Sequence, residues 1–408
     1  MKDSGIEWIG KIPTEWKIER VGSLFMCRNE KVSDRDFAPL SVSKQGVVPQ
    51  IETVAKSDNS DNRKLVLKDD FVINSRSDRK QSCGLSFLDG SVSLINIVLS
   101  IRNKQQLTTS FLPYVMKNYG FAEEFYKWGH GIVADLWTTR WQELKSIFIP
   151  LPPLPEQQRI ADYLDKQCSI MDKLAEILQQ QIEKLKEYKQ SVITEAVTKG
   201  LDPNVAMKDS GVEWIGQIPE EWNLVQIKNV TSVRNKKRSN ENLPYIGLEN
   251  VESFSSKYVF TANAYDLSLS NIAFSGDVIF GKLRPYLAKV LLIRKDCCVS
   301  SEFAIFQCSN IYNKYLQYLL LSSCFIDAVN SATCGTKMPR ANIDYINSLP
   351  IAFPPLPEQQ RIANYLDKKC EEIDKLIKIK QEKIDKLSEY KKSLIYECVT
   401  GKREVAHE

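Results

Sequence analysis

The stretch PPLPEQQRIADYLDK at 152–166 returns as PPLPEQQRIANYLDK at 354–368, with fourteen of fifteen positions identical and Asn364 in place of Asp162. The residues after each copy decide the fold. From Glu156 to Thr198, and again from Glu358 to Thr400, there is neither Gly nor Pro, the residues that interrupt helices most strongly. The prolines just before Glu156 and Glu358 are tolerated because the N–H groups of a first helical turn have no intrahelical acceptor in any case. A 4-3 spacing then runs through Leu164, Cys168, Met171, Ala175, Leu178, Ile182, Leu185, Lys189, Val192 and Ala196. In the same register it runs through Leu366, Cys370, Ile373, Ile377, Lys380, Ile384, Leu387, Lys391, Leu394 and Cys398. A seam kept for more than four heptads is the signature of a coiled coil. Each stretch reads as a helix of about 40 residues and roughly 60 Å, too long to bury its seam inside one small domain. The simplest partner for each helix is the other. Lys189 and Lys391 occupy equivalent seam positions and are expected to snorkel to solvent.

The repeat reaches further. MKDSGIEWIGKIPTEW at 1–16 returns as MKDSGVEWIGQIPEEW at 207–222, with thirteen of sixteen positions identical. The chain is two units, 1–206 and 207–408, with matched starts and matched ends. The middles, 17–151 and 223–353, share only echoes: KDDFVIN around Asp70 against SGDVIF around Asp277, and ELKSIFIPLPP against YINSLPIAFPP. Short β-branched runs such as FVIN, SLINIVLSI, DVIF and AKVLLI, punctuated by Gly, Asp, Asn and Ser, read as strands. SFLPYVMKNYGFAEEFYK (110–127) and IYNKYLQYLLLSSCFIDAV (311–329) each read as a helix. The expected class is α+β: two pseudo-symmetric globular domains joined by two long antiparallel coiled-coil helices. The boundaries are 1–155 for the first domain, 156–199 for its helix, 200–206 for a linker, 207–357 for the second domain, 358–401 for its helix and 402–408 for a tail.

At 408 residues the chain suffices for two or three cores. No apolar run approaches the roughly 18–20 residues that span a bilayer, and MKDSGIEWIG lacks the basic start and apolar core of a signal peptide. The ten cysteines contain no C-x-x-C pair and only His130 and His407 accompany them, so reduced thiols in a cytoplasmic protein are expected rather than a metal site or a disulfide framework. The net charge of +4 names no partner, but its placement is informative. Lys228–Arg238 and Gly281–Lys295 each carry five positive charges and no acid. Two such runs with Tyr and Pro interleaved favour a phosphate-facing surface.

The short link at 199–206 starts the second domain near the end of the first helix, so a back-folded second helix would give a stiff rod carrying a domain at each end. A pseudo-dyadic molecule of that kind suits the local dyads of B-DNA. PPLPEQQRIADYLDK, KDSGIEWIG with its following IP and EW, the helix ends EYKQSVITEAVTKG and EYKKSLIYECVTGK, and GDVIFGKLRPYLAK together resemble the specificity subunit of type I restriction-modification systems, over essentially the whole chain. That resemblance implies that the middles are target-recognition domains and the helices spacers, and that the substrate is a bipartite double-stranded DNA sequence with an unspecified gap. It implies partners too: modification subunits, two of them, carrying an S-adenosylmethionine-dependent adenine methyltransferase, and restriction subunits using ATP and magnesium. This chain itself is expected to bind no cofactor and to be no enzyme. It has no G-x-x-x-x-G-K-[ST] loop, and no N-P-P-[FY] or D-P-P-Y stretch.

Base readout uses Arg or Lys for guanine and Asn or Gln for adenine, whereas phosphate accepts any cation or small donor. The candidates in the second domain are Lys236, Lys237, Arg238, Lys282, Arg284, Tyr286, Lys337 and Arg340, the last two from CGTKMPRANID. In the first domain NSRSDRKQSCG stands where GKLRPYLAK would be expected, and the candidates are Arg63, Lys64, Arg76, Arg79, Lys80, His130 and Arg140. The helix at 156–199 carries seven positive and eight negative charges, so it is no phosphate track. Its off-seam Ile160, Tyr163, Ile170, Leu174, Ile177 and Tyr188 point to further helices from partners. A stand-alone DNA-binding regulator would bind sequence-specifically without those partners, and a coiled-coil protein scaffold would show no salt-dependent DNA affinity.

Overall fold

The computed structural model describes residues 1–50, 61–131, 137–237, 243–260, 270–333, 335 and 337–406. Two compact units emerge, Met1–Ile177 with Glu382–Glu408, and Leu178–Gln381. Each holds one α+β domain built on the same plan.

In the first unit an antiparallel four-stranded sheet runs Cys83–Leu85, Phe71–Asn74, Asn96–Ile101, Phe25–Arg28. In the second unit the matching sheet runs Val290–Leu292, Val278–Gly281, Phe303–Cys308, Thr231–Val233. The strand leaving each domain pairs with one near its start: Phe148–Leu151 with Lys17–Arg20, and Pro350–Phe353 with Asn223–Gln226. The echo around Asp70 and Asp277 has a physical cause. Each carboxylate is buried and accepts two hydrogen bonds from one guanidinium, Arg28 at 2.9 and 3.2 Å and Arg234 at 2.9 and 3.3 Å. Each also accepts a turn N–H, from Leu67 and Phe274, at 2.9 Å. A buried ion pair survives only when its remaining hydrogen-bonding capacity is met, and here the turn meets it.

The two expected helices each prove to be two: Leu112–Lys117 and Tyr119–Lys127, then Asn313–Leu321 and Ser323–Ser331. The breaks fall at Asn118 and Ser322, whose backbones are extended. The Asn118 side chain accepts from Phe121 N–H at 3.0 Å, while the Ser322 hydroxyl donates to Leu319 C=O at 2.7 Å. Short polar side chains compete with helix bonding by making such local contacts.

Each long helix is uninterrupted, Leu154–Lys199 and Leu356–Val399, and the compact units divide both. The first unit keeps the start of the first helix and the end of the second; the other unit keeps the complementary halves. The doubled motifs explain this sharing. In the first unit Trp16 donates from its indole nitrogen to Glu156 at 2.9 Å, which ties the N-terminal motif to the start of the first helix. Gly401, past the end of the second helix, has φ +69°, and a Cβ there would stand 2.2 Å from Pro13 and 3.2 Å from Trp16. Tyr396 donates to Trp8 C=O at 2.9 Å. In the second unit Tyr315 donates to Val197 C=O, near the end of the first helix, at 3.0 Å. The glutamine of each PPLPEQ is buried and bridges helix to domain. Gln157 donates to the carbonyls of Pro152 and Gln106 (2.9 and 2.8 Å) and accepts from Thr108 N–H at 2.9 Å. Gln359 donates to Pro354 C=O and accepts from Tyr312 N–H at 2.9 and 2.8 Å.

The seam is buried or half-buried throughout: Leu164, Met171, Leu178, Ile182, Val192, Leu366, Ile373 and Leu394 are buried, and Leu185, Ile377, Ile384 and Leu387 half-buried. Within each unit the helix halves run antiparallel. In the first unit Lys391 bonds both oxygens of Asp172 at 2.7 Å; in the second Lys189 donates to Asp374 at 2.8 Å. The same pair is thus made twice with its partners on exchanged helices. The expected snorkelling does not occur at Lys189. Lys189 keeps only 7% of its side chain exposed because a carboxylate waits across the seam, which removes the drive to reach water.

Candidate nucleic-acid interface

In each domain two sequence-distant segments are brought together at the exit of the second sheet strand. In the second domain the chain leaves Val278–Gly281 into Lys282–Leu287 and is met by the loop before the return strand. Leu283 and Arg340 form an antiparallel bridge, Ala341 N–H donates to Lys282 C=O at 2.9 Å, and Arg284 N–H to Pro339 C=O at 2.8 Å. Arg284 has φ +52°, a left-handed conformation that costs a non-glycine residue energy. Arg284, Tyr286, Lys337 and Arg340 are exposed and Lys282 half-buried. Lys236 and Lys237 are exposed; Lys236 lies 5.3 Å from the Phe274 ring centre and Lys237 bridges Asn271. Arg238 lies outside the described residues.

The first domain repeats the arrangement with other residues. Phe71–Asn74 leads into Ser75–Lys80, which meets the loop before the return strand. Arg76 and His130 each bridge Thr138, Thr139 N–H donates to Ser75 C=O at 3.1 Å, and Ser77 N–H to Trp137 C=O at 3.0 Å. This joins Arg76 and His130 at Thr138, with Arg79, Lys80 and Arg140 carried by the same two segments. Arg76 binds Asp78 at 2.9 and 3.1 Å, Lys80 binds Glu123 at 3.1 Å, and His130 Nε2 lies 3.4 Å from Glu143. Exposed pairs of this kind contribute little to stability and exchange partners readily. Phosphate can therefore compete for these cations.

Other basic candidates are spent internally. Arg63 is buried, its guanidinium donating to the Ser91 hydroxyl and carbonyl at 2.8 and 3.0 Å, and burial lowers its pKa. Lys64 donates to Asn96 C=O at 2.7 Å, and burial lowers its pKa as well. Neither side chain belongs to the basic surface that gathers the others. Within the two basic runs, Arg234 holds Asp277, and Lys289 donates to the carbonyls of Leu248 and Val251 at 2.6 and 2.9 Å. One residue at this surface escaped the sequence: Glu302, whose carboxylate accepts from Arg340 at 2.7 Å. Its signal was weak, a lone acid in the turn between two apolar strands.

Against known proteins, the family described as type I restriction modification DNA specificity domain matches residues 13–187 and 219–389, once per repeat. The chain belongs to that family. It is 24% identical to the type I restriction enzyme MjaVIII specificity subunit of Methanocaldococcus jannaschii, over 97% of this chain and 94% of that one. A chain from a structure of type I R-M system assembly and conformational transition shares the fold with a TM-score of 0.74 at 15% identity, covering 95% of this chain and 98% of its own. The HsdS subunit from Thermoanaerobacter tengcongensis gives 0.53 at 16% identity, covering 96% and 98%. This chain is a type I specificity subunit with two target-recognition domains, a non-catalytic part of a complex that also contains modification and restriction subunits and acts on DNA. No described helix is long and apolar enough to cross a membrane. Among the described residues no three His, Cys, Asp or Glu side chains are placed to hold a metal. Burial pushes the thiols of Cys83, Cys297 and Cys308 up to about 12, so they stay protonated and unreactive near neutral pH.

Proposed function

We propose that each domain reads one half of a bipartite, asymmetric DNA sequence through the surface where the strand-exit segment meets the return loop. One observation carries this reading: two domains with unlike middles assemble their exposed cations at the same topological position. The shared frame supplies the position, and the unlike side chains supply two specificities. Replacing Lys282, Arg284 and Lys337 with Ala should weaken DNA binding across all sequences and flatten the dependence of log K on log salt by about 0.9 for each phosphate no longer neutralised. Arg63→Ala should leave that slope unchanged while lowering the melting temperature. Filter binding of the assembled complex at several salt concentrations checks both outcomes, and a slope insensitive to these three cations would overturn the assignment.

The helices, in the same reading, dock the modification subunits. Ile170, Leu174 and Ile177 are exposed at helical spacing on the first helix, and Leu376 and Ile379 are exposed at the equivalent positions of the second. Tyr188 and Tyr390 repeat in the same way. Of the other off-seam residues, Ile160 is buried and Tyr163 packs against its own domain's core, so neither is available. A duplicated apolar stripe fits two modification subunits, one per copy. Leu174→Asp should cost one copy, Leu376→Asp the other, and the double variant both; native mass spectrometry of the co-expressed complex reads the count. The chain would hold no cofactor: S-adenosylmethionine belongs to the modification subunits and ATP with magnesium to the restriction subunits, all in the cytoplasm.

A further inference from the structure

We propose that Glu302 is a positioning residue that holds Arg340 for bidentate reading of a guanine in the half-site of the second domain, an inference resting on the DNA-facing reading of that surface. The two side chains lie far apart in sequence and meet because three backbone segments are stitched together. Lys282 N–H donates to Glu302 C=O at 2.8 Å, Ala341 N–H donates to Lys282 C=O at 2.9 Å, and Arg340 bridges Leu283. Ser300 caps the turn by accepting from Glu302 N–H at 3.2 Å. Both partners therefore start from fixed backbone.

The pair differs from the domain's structural arginine. Arg234 gives Nε and one terminal nitrogen to Asp277, and both groups sit in the core with 21% and 4% of their side chains exposed. Arg340 is 62% exposed and gives a single terminal nitrogen to Glu302, which is 26% exposed. The bond engages one hydrogen of the five a guanidinium carries. Two parallel N–H groups remain for O6 and N7 of guanine, the commonest specific contact in the major groove. A long side chain loses rotamer freedom when it binds a base; a charge-assisted bond at 2.7 Å to a largely buried carboxylate on fixed backbone removes part of that freedom beforehand. The first domain lacks the device. Its corresponding turn carries Leu94 and Ile95, both exposed, with Ser75 donating to Ile95 C=O at 2.6 Å. The two domains thus differ in chemistry at one shared position.

The test uses the complex with its modification subunits and selection from duplexes randomised over the recognised sequence. The wild type should require a G·C pair at one position of the second half-site. Arg340→Ala and Arg340→Lys should both lose preference at that pair alone. Glu302→Gln should relax the same preference about tenfold, a large share of what one bidentate contact discriminates, while overall affinity falls far less than with Lys337→Ala. The proposal is overturned if no G·C pair is specified in that half-site, if Arg340 variants leave the preferences intact, or if Glu302→Gln changes nothing that Arg340→Ala changes. A wild-type complex without any sequence preference, or one indifferent to Lys282, Arg284 and Lys337, would instead remove the underlying DNA-facing reading.

Discussion

Replacing Asp374 with Ala should destabilise the protein by on the order of 3 kcal/mol, whereas Asp172→Ala, its counterpart in the repeat, should cost under about 1 kcal/mol. The contrast follows from burial. Lys189 is 7% exposed in an apolar seam, and Asp374 answers it at 2.8 Å while also accepting from Lys257 at 2.6 Å. Removing that carboxylate leaves an ammonium with neither water nor a counter-charge. Lys391 and Asp172 are 30% and 65% exposed, so water replaces the missing partner. The double replacement Lys189→Met with Asp374→Leu should return stability close to the wild-type value, because a buried pair is rarely better than well-packed apolar residues. Urea unfolding of the four proteins, followed by circular dichroism, measures each difference; equal losses for Asp374→Ala and Asp172→Ala would sink the account. The pH dependence has a definite sign. Burial pushes the Asp374 pKa up, but hydrogen bonds and charge from Lys189 and Lys257 outweigh it and hold the carboxyl below its ordinary range. Its contribution is therefore full above the unfolded value of about 4 and is lost as pH falls through the lower folded value. The gap between wild type and Asp374→Ala should stay constant from pH 5 to 8 and close below pH 4.

The frame is legible because it is written in patterns that survive without tertiary context. The heptad seam needs only periodicity, and Leu164, Met171, Leu366 and Ile373 fall inside as that periodicity requires. The PPLPEQ repeat is visible as identity, but its reason is not. Gln157 matters through hydrogen bonds to Gln106 and Thr108, about fifty residues upstream, and no local pattern announces such a contact. Lys189 departs from expectation for the same reason. Snorkelling is the right default for a lone seam lysine, and only the antiparallel register reveals Asp374 opposite. The breaks at Asn118 and Ser322 sit inside runs whose apolar spacing continues across them, so periodicity hides what one capping side chain decides. At the candidate interface, charge runs show where cations concentrate but not which are free. Arg63, Arg234 and Lys289 look like their exposed neighbours in sequence, yet a serine, an aspartate and two carbonyls claim them. Which cations are brought together is a property of the meeting of Ser75–Lys80 with the 130–140 loop, and of Lys282–Leu287 with the 337–341 loop.

Deleting one heptad from both long helices together should change the recognised sequence in its gap alone. Asp172 and Lys189 on the first helix and Asp374 and Lys391 on the second are spaced identically, and each aspartate pairs with the lysine of the other helix. Removing Leu178–Lys184 alone makes these spacings unequal, so the two ion pairs and the seam around them cannot all form. Removing Lys380–Lys386 as well restores the match, and because seven residues are one period of the seam, its register is kept. The single-helix deletion is therefore expected to lose modification activity, while the paired deletion retains it. Seven residues of helix amount to roughly 10 Å, or about three base pairs at 3.4 Å each, and the unspecified gap should shorten by about that number with both specified halves unchanged. Mapping methylated adenines in host DNA reads the outcome directly. An unaltered gap after the paired deletion, or a functional complex after the single one, would show that the seam does not govern the spacing. The paired ions would then serve stability alone, and the gap would have to be set within the recognition domains.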